Sequence, residues 1–202
     1  MRLAAGGLVV LLLAGSSAAA PRIKVVGEKE ATGDVWKAYA REKQATGIVP
    51  GSVRILSLAP PLLALQQSYG QGLLETDRAL PARLKRMVGV VVSSALGCES
   101  VRVAQQQELL RLGWKPDQIQ RLVQDAQSAG LSQREVTALK YARKVAMEPG
   151  QVNDQDFADL RWDGLGDAEI LELTVVTGYF DSLSRMMQAL GVEADEYPAP
   201  TQ

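Results

Sequence analysis

The chain has 202 residues, 47% of them hydrophobic, with 22 Lys+Arg against 23 Asp+Glu, one cysteine and no histidine. A net charge of −1 and a pI of about 5.6 leave no basic surface for a phosphate backbone, which excludes nucleic acid as a partner. Without imidazole the commonest metal ligand is gone, and a lone cysteine excludes an intramolecular disulfide, so the reading includes no metal and no cofactor.

Residues 1–20 carry Arg2, an apolar run over 8–14 and small residues ending in Ala18-Ala19-Ala20 before Pro21. This pattern reads as a secretory signal peptide, and it predicts an exported protein, periplasmic or extracellular. Glycines and the Ser-Ser-Ala-Ala-Ala tail fit cleavage better than a membrane anchor, and after cleavage no stable membrane insertion is expected. Ser16 stands where a bacterial lipobox would carry its cysteine, so no lipid anchor is expected either. The remainder, residues 21–202, has the length of a single domain able to bury a core.

After an extended leader over 21–27, the pattern predicts a helix over 34–44. Val35, Trp36, Tyr39 and Ala40 share one face and Lys37, Arg41, Glu42 and Lys43 the other, with both aromatic rings expected in the core. A turn over 47–51 leads to a short apolar helix over 53–58, ended by Pro60-Pro61, and then to a helix over 62–74.

Residues 80–113 hold the densest pattern. A helix apolar nearly all round over 87–96 is joined at Gly97 to an amphipathic helix over 98–112, which Cys98 opens. The partial positive charge of a helix N-terminus stabilises a thiolate, so Cys98 there can be a nucleophile; cysteine is also a small apolar residue that fills cores, and both readings stay open. Around it stand Arg83, Lys85, Arg86, Glu99 and Arg102. They fit either an anion site, with Arg83, Arg86 and Arg102 as carboxylate ligands, or a solvated charged face in which Arg86 pairs with Glu99. Acid chemistry at such a site has Glu99, Tyr69 and Tyr179 as its available proton donors.

Pro116 opens the next helix, with Ile119, Leu122 and Val123 on one side and closure at 128–130. Ser132 and Glu135 form a capping box for a helix over 133–147 that turns Val136, Leu139, Ala142 and Val145 inward and ends at 148–150. Asn153 or Asp154 caps a short helix with Phe157 and Leu160, followed by Trp162 and a turn over 164–166. Asp167 can cap a helix over 168–177, and a further helix over 178–190 contains Asp181 and Arg185, which read as a structural salt link. This last pair parallels the pair around Cys98. The fold class is all-α with two pseudo-repeated helix pairs, and residues 197–200 form a loose tail.

Several stretches carry a family resemblance. Residues 30–33 read EATG, 47–50 fit G-x-V-P, and 56–60 fit L-S-L-x-P; residues 86–105 fall on E-L-I-x-x-x-V-S-x-x-N-x-C-x-Y-C-x-x-x-H. In these the chain resembles the alkylhydroperoxidase D-like (AhpD-like) and carboxymuconolactone decarboxylase superfamily, in its peroxidase-related branch. The resemblance implies an all-α fold, homo-oligomers, and a cysteine pair that reduces peroxides and closes to a disulfide while a glutamate and a histidine relay protons. Val92, Ser93 and Cys98 fit the signature. Arg86 stands at its glutamate, Leu96 at its asparagine, Ser100 at its tyrosine, Val101 at its second cysteine and Gln105 at its histidine. The resemblance therefore implies a degenerate member without dithiol peroxidase activity. Two alternatives remain: a one-cysteine oxidoreductase in which Cys98 becomes a sulfenic acid and is reduced by an external thiol, or a small-acid-binding or decarboxylase-like protein using the arginines. The partners implied are further copies of the chain and a small peroxide, thiol or organic acid.

Overall fold

In the computed structural model, which describes residues 21–198, nine α-helices follow one another: α1 (Gly33–Thr46), α2 (Gly51–Leu56), α3 (Pro60–Leu74), α4 (Ala82–Ala95), α5 (Glu99–Arg111), α6 (Pro116–Gln124), α7 (Gln133–Met147), α8 (Asp154–Trp162) and α9 (Asp167–Ala189). No strand occurs among the described residues, as the all-α reading requires. The proposed leader cleavage lies outside them.

Helix α4 is central because nearly its whole circumference is apolar; Met87, Val88, Val90 and Val92 are fully buried, and it packs against α5, α7 and α9. This core continues through Leu109 of α5, Leu139 of α7 and Leu173, Val176 and Phe180 of α9. A smaller cluster joins α1, α2 and α3 through Val35, Tyr39, Val53 and Leu63, and Leu56 packs against both clusters. The Tyr39 hydroxyl donates to the Val26 carbonyl at 2.8 Å and ties the segment before α1 to it.

Local chemistry sets several boundaries. Ser132 and Glu135 form the expected capping box, and α7 covers the residues its pattern predicts. Asn153 caps α8 by accepting from the Gln155 amide. Helix α3 begins at Pro60, because a proline at the first helical position lacks an N–H that would be unpaired there anyway; the two prolines open this helix rather than only ending the one before. Helix α6 stops at Gln124, where Asp125 turns extended and caps a short 3-10 turn over Ala126–Ala129.

Two larger expectations need correction. Trp36 is 58% exposed, and Ala40 is exposed with it, because Val35, Ala38 and Tyr39 already form the inward stripe of α1. The break expected at Gly178 does not occur. Ile170, Leu173, Val176, Phe180, Ser184 and Met187 keep one buried stripe running through it, so α9 is continuous where two helices were expected.

Lys85 anchors the helices to one another. Its side chain is 0% exposed, its ammonium donates to the carbonyls of Leu73 (2.9 Å) and Thr76 (2.8 Å), and it forms an ion pair with Glu172 of α9. The second Glu172 oxygen accepts from the Leu80 amide at 2.8 Å. One buried pair thus joins the end of α3 to α4 and α9, a charge arrangement tolerated in a core because the ammonium keeps two carbonyl acceptors and each charge faces the other.

Candidate functional site

The site is built on the α4–α5 junction. Gly97 has φ 68°, a left-handed conformation that glycine adopts without a Cβ penalty. Its amide donates to the Ser94 carbonyl (3.1 Å) and that of Cys98 to the Ser93 carbonyl (2.8 Å), which closes α4. Cys98 consequently becomes the N-cap of α5, as its sequence position predicts. Its thiol is not presented to solvent: Cys98 is 2% exposed and Val101 3%, both in the main core, and Sγ lies 3.5 Å from the Ser100 hydroxyl.

Val101, Gln105 and Leu109 recur every four residues and form the inward face of α5. Gln105 Oε1 accepts a hydrogen bond from Arg86 Nη1 of α4 at 3.1 Å. Gly89 permits this approach: a Cβ there would lie 2.7 Å from Gln105 Cγ and 2.6 Å from Phe180 Cζ. The residues at the glutamate and histidine positions of the signature therefore touch each other across two helices.

Both face a cleft of about 360 Å³ that draws its walls from α1, α2, α3, α4, α5, α9 and the segment after α9. Leu56, Leu63, Leu74 and Leu183 supply apolar surface; Gln66, Gln67 and Tyr179 supply polar groups. Neither Cys98 nor Val101 is among the lining residues. Arg41 pairs with Glu42 at 3.2 Å and Arg111 with Glu108, whereas half-buried Arg86 has no carboxylate within ion-pair reach among the described residues. The Tyr179 ring meets Tyr69 and Phe180 edge to face, at 5.4 and 5.2 Å. Burial pushes the Tyr179 phenol above its ordinary value while Gln66 and Arg86 pull the other way, so at neutral pH it is an uncharged hydroxyl.

The remaining candidates disperse. Arg83 pairs with Glu135, Lys85 is buried with Glu172, and Arg102 pairs with Glu99 on its own helix, so the five charged residues do not converge. The expected Arg86–Glu99 pair is not formed, because Arg102 is one turn from Glu99 and satisfies it locally. Of the three proton donors considered, only Tyr179 lines the cleft; Tyr69 and Glu99 do not. Asp181 and Arg185 form their salt link at 3.0 Å.

The last described residues are not a loose tail. Asp195 accepts from the Gly51 amide (2.7 Å) and from Arg54 (2.9 Å), and Tyr197 lines the cleft. Burial raises both the Asp195 carboxyl and the Tyr197 phenol. Sequence reasoning missed Gln66, Arg111 and Tyr197 because they come from distant elements. One trace existed: Gly70, inside α3, where a Cβ would lie 2.8 Å from the Tyr179 hydroxyl.

Comparison with known proteins adds a family match over part of the chain and a fold. The model of the carboxymuconolactone decarboxylase family matches residues 60–144. Curated proteins yield no match. Among solved structures, a peroxidase-related protein with an alkylhydroperoxidase AhpD core from Ralstonia eutropha JMP134 is similar with TM-score 0.80 and 23% identity, over 87% of this chain and 93% of that one. A peroxidase-related protein from Silicibacter sp. TM1040 gives 0.73 and 23%, over 89% and 90%. The debrominase Bmp8, solved with 2,3,4-tribromopyrrole, gives 0.74 and 15%, over 85% and 90%. At these identities the likeness establishes the fold.

Proposed function

We propose, for a chain whose residues 60–144 match the model of the carboxymuconolactone decarboxylase family and whose fold is AhpD-like, that dithiol peroxidase chemistry has been lost and that the cleft at Arg86 binds a small molecule instead. One observation carries this reading: Arg86 and Gln105, at the signature's acid and base positions, hydrogen-bond each other and face the cleft, while Cys98 is buried away from it beside Val101. Dithiol reduction needs a second thiol to release the oxidised sulfur as a disulfide, and Val101 has none. A one-cysteine route asks peroxide to reach a thiol that is 2% exposed.

The test is consumption of cumene hydroperoxide with dithiothreitol as reductant. The expected rate is that of the buffer, unchanged in Cys98→Ser. Turnover abolished by Cys98→Ser would sink the proposal. Export with loss of residues 1–20, and assembly of copies through exposed apolar side chains on α3 and α9, are further parts of it.

A further inference from the structure

We propose that the cleft takes a small organic monocarboxylate with an apolar or aromatic body, its carboxylate on Arg86 and its body along Leu63, Leu74 and Leu183. The inference rests on the reading of the cleft as a binding site and names its ligand class.

The charge pattern leads to it. Arg41 and Arg111 are neutralised by Glu42 and Glu108, so the cation left over in the cleft is Arg86. Glu75, the lining acid without an ion partner, is exposed to solvent. A guanidinium carries five N–H donors in a planar fork, and Gln105 accepts from Nη1 alone, at 3.1 Å; the other donors have no protein partner among the described residues. The half-buried guanidinium keeps donors open to the cleft, where a ligand can replace the water on them, and a carboxylate matches the fork with two parallel bonds.

One uncompensated positive charge suits a monoanion better than doubly charged phosphate. The leucines in the same lining suit an apolar body, which a bare inorganic anion lacks. A volume of about 360 Å³ lies at the small end of ligand pockets, which span roughly 300–1,000 Å³. The neutral Tyr179 hydroxyl, in the same lining, is available as an additional donor.

The experiment is thermal unfolding of the protein in graded benzoate, with benzamide as the neutral isostere and inorganic phosphate as the bare anion. Ligand that binds only the folded state raises the midpoint by mass action. A saturable rise with benzoate, absent with benzamide and phosphate, is expected. Arg86→Gln should weaken benzoate binding by about ten- to hundredfold, the usual worth of a charged hydrogen bond. No saturable benzoate shift, an equal shift from benzamide or phosphate, or an unchanged shift in Arg86→Gln overturns the proposal. Should Arg86→Gln not fold, Arg86→Met replaces it, and the benzoate–benzamide comparison stands on the unmutated protein. Failure here leaves the peroxide result untouched, and peroxide turnover would leave the benzoate result untouched, so the two readings fail separately.

Discussion

At the scale of single residues, one helical turn relates Cys98 to Val101, and this spacing was legible from residues 86–105 because it depends only on helical period. What the spacing did not reveal is direction. Whether a residue at a helix N-cap faces solvent or core depends on what packs over it, and here both side chains are buried in the main core. Arg86 shows the same limit: its pairing with Gln105 follows from the close approach of α4 and α5 at Gly89, which no local pattern records. The alignment is testable through Val101→Cys. N-cap and N3 side chains lie on one face, within the roughly 4.4–6.8 Å between Cα atoms that a disulfide spans, so oxidation should close a bridge between Cys98 and the introduced thiol and remove both free thiols. A variant refolded in the presence of oxidant that still titrates two thiols once denatured would show that the turn does not juxtapose these positions.

At the scale of elements, two glycines inside helices behave oppositely. Gly89 of α4 lies where a Cβ would come within 3 Å of the fully buried Phe180 ring and of Gln105, whereas a Cβ at exposed Gly178 of α9 meets nothing within 4 Å. Glycine in a helix interior costs about 0.5–1 kcal/mol relative to alanine, a sum that the unbroken apolar stripe of α9 overrides; this is why the break expected at Gly178 is absent. Gly178→Ala should therefore stabilise the protein by about 0.5–1 kcal/mol, and Gly89→Ala should destabilise it by about 1–3 kcal/mol through overpacking. Urea midpoints measure both, and effects of equal sign would contradict the contrast. Lys85 was read with its charged neighbours as part of a surface cluster. Only the long-range placement of Glu172 and of the α3 carboxyl end reveals it as a buried link.

At the scale of the molecule, the helical class and nearly all helices were legible because each helix carries its own apolar period, while the cleft was not, because its walls come from six helices and a terminal segment. Assembly is also a property of this scale. Leu62, Leu65 and Tyr69 recur at helical spacing on α3, and they are exposed together with Leu58 in the turn before it and with Leu171 and Val175 of α9. Protein recovered from the periplasm or medium should begin at or near Pro21 by mass spectrometry and sediment as an oligomer that Leu62→Glu with Leu65→Glu dissociates; an intact Met1, or a monomer before mutation, would contradict the proposal. The proposed loss of thiol chemistry is tested most directly by alkylation of Cys98 with iodoacetamide in the native protein. A thiol buried in the main core is reached only when the structure opens, so labelling should be slow, should follow the free energy of unfolding as urea is added, and should become stoichiometric in the unfolded chain. Rapid stoichiometric labelling of the folded protein in the absence of denaturant would contradict it.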